Sequence, residues 1–421
     1  MTYQAGPMSF ERLTTGRHVR NVAATRAKYG DAPVDKFLTD LTRGDDVAQA
    51  VIGDIAKLKG QGWAMVDEAL EKGIDQVPDA PPSMVAMFRE AEHVPDWVDY
   101  DQLRRGSIAY WRAGPILSFV LLVSALGSSL TYRSTRPLVF TGRLEEKTPT
   151  RARETSRWLL SATKPDEMRK GRHGYKLTVK LRLIHAAVSV ACKNSKRWNW
   201  DDWGYPICHA DNMNAIGYVF TQTMIDPLIR SGYKVSKQER EDIYALFRYI
   251  GYLLGVPDDV NIIDEDDSRA RNEIYYELTP GPDEPCRVML EGLLATVNGS
   301  GEDNVDALPW IVRKTMPPER LRMLMIGMMR YWCGDKVADG FDLPQSHWRY
   351  ALPMLKPFIK LSELKRSVFG ADDEKAALKT IATLEANLAR DDESELVPVE
   401  DIKPTRRYAD GPRAVDAVAA D

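Results

Sequence analysis

The sequence predicts an all-α protein, a single large helical domain with peripheral helices. Three observations lead there. Apolar residues recur at three- and four-residue steps in nearly every long segment, Pro and Gly fall between those segments, and one segment carries a complete set of start and stop signals. In that segment Ser236 and Glu239 form an S-x-x-E capping box. Ile243, Leu246, Phe247, Ile250, Leu253 and Leu254 follow at helical steps, and Gly255 and Pro257 end it.

Further helices are expected at 47–72, 82–92, 100–112, 151–161, 177–192, 211–229, 318–332 and 373–389. The most apolar stretch, 116–130 (ILSFVLLVSALGSSL), is shorter than the ~20 residues a bilayer-spanning helix needs and is interrupted by Ser and Gly. It reads as a buried core helix, so no membrane span is expected. Residues 1–35 are weakly patterned and read as an extension. Residues 36–390 form the body, with no linker long enough to separate two cores. Residues 391–421 are charged and poor in large apolar side chains, the composition of a loosely attached tail.

Composition narrows the function. With 44% hydrophobic and 28% charged residues the 421-residue chain is an ordinary globular sequence. A formal net charge of -4 offers no global attraction for nucleic acid or an anionic membrane, though local basic patches stay open. Nucleic acid is therefore not an expected partner. Cys192, Cys208, Cys286 and Cys333 are widely spaced, with no CxxC pair, and read as reduced core thiols. The N-terminus shows no signal-peptide pattern, so the chain as written is expected in the cytoplasm, with secretion open if a signal was removed. The oligomeric state is not legible.

Common chemical motifs are missing: no GxGxxG, P-loop, HExxH, GxSxG or CxxCH. No two of the six histidines share the i, i+3 or i+4 spacing that would put both on one helical face. His185 stands out. It lies in LTVKLRLIHAAVSVAC on a stripe with Thr178, Leu181, Arg182, Val188, Ser189 and Cys192. An imidazole on a mostly apolar face, one turn after an arginine, suits an axial haem ligand whose neighbour meets a propionate. The same pattern fits a core histidine bonded to a backbone carbonyl. A second stripe joins Arg151, Glu154, Thr155 and Trp158 at relative positions 0, 3, 4 and 7. It fits either an exposed Arg/Glu pair anchored by Trp158 or the polar wall of a pocket.

Two other clusters carry less. Cys208 and His209 are adjacent and offer too few ligands for a metal, and the acidic run 264–267 lacks the central Gly of a calcium loop and reads as a solvated turn. The methionines of RMLMIGMMRYW read as flexible core filler.

Taken together, R-x-x-E-T (Arg151, Glu154, Thr155) and R-L-I-H (Arg182 to His185) resemble the distal and proximal elements of the latex-clearing (rubber oxygenase) family, with His185 thirty-one residues after Glu154. HVPDWVDYDQLRRG (93–106), TGRL (141–144), WGYPI (203–207) and FRYIGYLLGV (247–256) follow that family's order, so the resemblance spans about residues 60–260. It extends to the wider group that includes an oxygenase of mycophenolate biosynthesis.

The resemblance implies a globin-like core holding non-covalent haem b, with His185 as axial iron ligand and Arg151, Glu154 and Thr155 lining the distal pocket. It implies an oxygenase of dioxygenase type that takes dioxygen as co-substrate and an unsaturated apolar molecule, such as an isoprenoid, polyisoprene-like chain or lipid. The family's distal lysine appears here as Glu154, which inverts a charge over the iron and leaves substrate and sixth ligand open. Ionised, Glu154 can remove an allylic proton; protonated, it can deliver one. The alternative function is a non-catalytic haem-binding or gas-sensing protein.

Overall fold

The structure is a computed structural model that describes residues 9–58, 60–114, 116–141, 148–295 and 316–388, without the side chains of 13–15 and 148–151. Every regular element among the described residues is helical. The 391–421 tail lies outside them.

Part of the weakly patterned N-terminal stretch packs into the body. Val22–Tyr29 and Asp31–Asp40 are helices, His18 and Val34 are fully buried, and the Arg20 amide donates to the Leu278 carbonyl at 2.9 Å. Burial here comes from isolated residues such as His18, Thr25 and Val34, which leave no periodic stripe to read. The segment 47–72 also divides. Asp46–Ile55, capped by the Asp45 carboxylate on the Ala48 amide (3.0 Å), is followed by a turn through Gly60 at φ +93° into Gln61–Lys72. Gly62 then lies against Ile55 so closely that a Cβ would collide with it.

The body is built on the pairing of Tyr100–Trp111 with Lys237–Leu253. The capping box forms as the sequence predicts: the Glu239 amide donates to Ser236 Oγ (3.2 Å) and the Ser236 amide to Glu239 Oε2 (2.7 Å). The two helices approach at Gly106, where any Cβ would strike the Asp242 carbonyl. Trp97 packs edge-on against Tyr249 and Tyr252 and under the Arg248 guanidinium, joining the 93–106 and 247–256 motifs.

The apolar 116–129 segment and the long 209–231 helix each widen to a π-helical stretch, Leu121–Leu126 and Ala215–Gln222, and these pack on one another. Residues 117–128 are all buried, as a core helix requires. No single described helix is long and apolar enough to cross a membrane. The four cysteines are free, and Met325, Met328 and Met329 fill the core. The acidic run is not a turn: Asp264 caps Glu265–Leu278 by accepting the Asp267 amide (2.9 Å), and the acidic first turn complements the helix dipole.

Candidate active site

Two helices carry the residues that the sequence singles out. Thr148–Thr163 runs into a turn through Asp166 (φ +64°) and Gly171 (φ +81°), then His173–Lys193 returns along it. The hairpin is closed at its base, where Gly174 abuts the Ser161 carbonyl so tightly that a Cβ has no room. Its register is fixed one level up: Trp158 Nε1 donates to Thr178 Oγ1 at 3.2 Å, with both groups buried. Phe220, from the π-helical stretch, meets the Trp158 ring edge-on at 5.6 Å and holds it there.

That register decides what faces what. Seven residues are close to two helical turns, so backbone position 151 comes in line with Trp158, and position 185 with Thr178. Both positions are displaced about 10 Å from the Trp158–Thr178 contact, towards the same end of the hairpin. Glu154, one turn from Trp158, falls level with Arg182. The two sequence stripes thus converge on one end of one helix pair. Glu154 is buried at 4% exposure, Thr155 is half-buried, and the Arg151 side chain lies outside the described residues.

His185 is half-buried and lines a gap of about 10 Å³ with Asp45, Gln49, Arg182, Ile207 and Asn212. The gap could admit about one water and is edged by carboxylate and amide groups, the kind of company that orients an imidazole. The WGYPI motif supplies one wall. Ser189 Oγ donates to the Pro206 carbonyl (2.8 Å), binding this loop to the His185 helix, and Ile207 is held at φ +52°. A β-branched residue in that region is strained and persists only where its surroundings impose it. Farther along, Phe140, Cys192, Trp198 and Trp203 form a separate aromatic cluster with Val188 packed on it. Burial pushes the Cys192 thiol well up, so it stays protonated.

Arg182 is tied into the protein by two carboxylates. At 2% exposure its guanidinium donates to Asp45 (2.6 and 3.1 Å) and lies 3.0 Å from Glu90. Burial alone would lower its pKa, but the charges and hydrogen bonds of Asp45 and Glu90 outweigh it and hold the group above its usual value. Its described partners are therefore carboxylates of the protein. Gly255 (φ +77°) explains another motif residue: a Cβ there would strike both Asp45 and Arg182. Asp45 and Glu90 were invisible as site residues in the sequence, because no local pattern links them to Arg182 across 137 and 92 positions.

The donor set bears on what could be held. Among the described residues no three His, Cys, Asp or Glu side chains converge as a bare metal ion would need. His209 is buried beside Cys208, whose thiol donates to Asp211 (3.1 Å); burial depresses the His209 pKa and leaves it neutral. A single imidazole with polar groups beside it would fit an iron whose remaining ligands are supplied largely by a porphyrin, with His185 as the residue to hold it.

The solved structure of latex clearing protein in its closed state is similar with a TM-score of 0.60 and 18% identity, over 80% of this chain and 88% of that one. At that identity the likeness speaks for the fold. No curated protein sequence matches the chain significantly. The family described as the catalytic domain of the ER-bound oxygenase mpaB/B' and rubber oxygenase matches residues 110–360, more than half of the chain, including both helices of the hairpin. The chain belongs to this oxygenase family.

Proposed function

We propose that the protein is a haem b-dependent oxygenase that uses dioxygen to cleave or oxidise an unsaturated apolar substrate of isoprenoid, polyisoprene-like or lipid type. The observation that carries this reading is the hairpin register, which directs His185 and the buried Glu154 to one end of the same helix pair. Rubber oxygenase, named in the family description, indicates the substrate class.

In this reading the His185 imidazole holds the haem iron, and bound haem supplies the redox centre where dioxygen is activated. The protein's own residues do the rest. Glu154, shielded from bulk water, takes a proton from an allylic carbon when ionised or delivers one when protonated. Thr155 and Arg151 serve as hydrogen-bond donors where negative charge develops on oxygen. Asp45, Gln49 and Asn212, which line the same gap as His185, orient the imidazole.

The test is oxygen uptake by the purified protein against a panel of apolar alkenes, with product masses. Uptake that depends on an alkene and yields oxygenated product supports the reading. Stoichiometric haem without uptake for any alkene would instead indicate a haem-binding protein with no organic substrate.

A further inference from the structure

The helix Ala351–Phe369 carries an apolar face that no described residue covers. Met354, Phe358, Val368 and Phe369 are 66–82% exposed, and Tyr350, Leu355, Leu361 and Leu364 are 50–59% exposed. At 100° per residue, Tyr350, Met354, Phe358, Leu361, Leu364 and Val368 fall within about one third of the helix circumference. The patch runs the length of a helix about 28 Å long, far beyond the scattered apolar residues of an ordinary surface.

Charge on this helix is sorted. Its one carboxylate, Glu363, is turned inward at 8% exposure, where it accepts the Lys234 amide (3.1 Å) and lies 3.3 Å from Arg366 and 3.6 Å from Arg112. Lys356, Lys360 and Lys365 have no ion-pair partner among the described residues. The stems of Lys356 and Lys360 lie against Gly232, so this flank is anchored to the body. In a chain of net charge -4, this exposed surface is apolar and cationic, with Trp348 and Tyr350 at its leading end.

We propose that the Ala351–Phe369 face docks on the surface of an anionic lipid bilayer, lying in the headgroup plane. Its apolar side chains enter the acyl boundary and Lys360 and Lys365 meet lipid phosphates. Charge complementarity selects this occupant. A lysine-edged apolar stripe with aromatic residues at its end suits an interfacial helix, whose lysine stems can lie along apolar surface while the ammonium groups stay at the headgroups. A second copy of the chain fits poorly, since a two-fold axis across the middle of the helix sets Lys360 against its own copy without a carboxylate to separate them. The inference uses no haem and no turnover, and stands or falls apart from the proposed reaction.

The test is flotation of the full chain with vesicles of phosphatidylcholine alone or mixed with phosphatidylglycerol. The protein is expected to float with the anionic vesicles, at least tenfold more than with neutral ones, and less as salt rises. Phe358→Ser with Leu361→Ser should reduce that binding at least tenfold, and Lys360→Ser with Lys365→Ser should abolish the anionic preference. All four positions are exposed, so circular dichroism and melting should match the parent. Absence of flotation, or equal flotation of the variants, overturns the proposal. So does a stable dimer in sedimentation velocity that Phe358→Ser with Leu361→Ser dissociates, since the face would then belong to a second copy.

Discussion

Replacing Arg182 by Ala removes a guanidinium that is only 2% exposed and leaves Asp45 and Glu90 without their shared cation. The two pairs are unequal. The Glu90 side chain is 39% exposed, so water re-solvates it and that pair contributes at most about 1 kcal/mol. Asp45 is 12% exposed, and breaking so enclosed a pair costs on the order of 3 kcal/mol. The retained bond from the Ala48 amide to Asp45 keeps the cost at the low end. A total of about 3–4 kcal/mol corresponds to a melting point lower by about 3–5 °C for a domain of this size. The assay is thermal unfolding of haem-stripped protein followed by circular dichroism. Arg182→Ala with Asp45→Asn removes both charges and should recover a large part of the loss. Were Arg182 mainly a propionate partner, the stripped variant would melt unchanged and only haem affinity would fall, which would refute the ion-pair account.

Other outcomes follow from the same geometry. Glu154→Gln keeps shape and hydrogen bonding but cannot exchange a proton, so haem content should persist while alkene-dependent oxygen uptake drops by roughly 10²–10⁴-fold. Unchanged uptake would remove Glu154 from the chemistry. Gly106→Ala forces a methyl into the Asp242 carbonyl and should destabilise the protein by about 1–3 kcal/mol in urea unfolding, whereas Gly53→Ala, in the Asp46–Ile55 helix with nothing within 4 Å of the added methyl, should leave stability unchanged or slightly raised. His18 and His209 are buried, and burial lowers both below the usual 6.5. The unfolded chain then binds more protons than the folded one at acid pH, so stability should be full above about pH 6.5 and decline below it. His18→Gln should flatten that decline in a pH series of melts.

What the sequence revealed and what it hid have separate physical causes. The capping box at Ser236 and the stripes through Trp158 and Thr178 are local, repeating patterns, and the helices they mark form with nearly the expected bounds. The equal seven-residue steps from Trp158 to Arg151 and from Thr178 to His185 were present in the sequence, but only the Trp158–Thr178 hydrogen bond puts them in register. The partners of Arg182 could not be read, because Asp45 looks like an ordinary cap and Glu90 like a surface charge until the fold brings them together. Glycines of the shared motifs proved to mark close approaches, Gly106 on Asp242 and Gly255 on the Arg182–Asp45 pair. The Ala351–Phe369 helix is not among those expected from the sequence, which carries Pro353 and Pro357 there, and only burial shows that its apolar stripe faces outward. The π-helical stretches left no readable sign either, since their residues are as apolar as an α-helix of the core.

The central claim is that His185 holds haem, and the absorption spectrum of purified parent and His185→Ala protein, with pyridine haemochrome quantitation, addresses it most directly. One coordinate bond anchors the cofactor while many apolar contacts hold the helices. The parent should therefore show a Soret band with about one haem b per chain, and His185→Ala should lose it while keeping its helical circular dichroism. A parent that takes up no haem, or a variant that retains stoichiometric haem with an unchanged spectrum, would contradict the account.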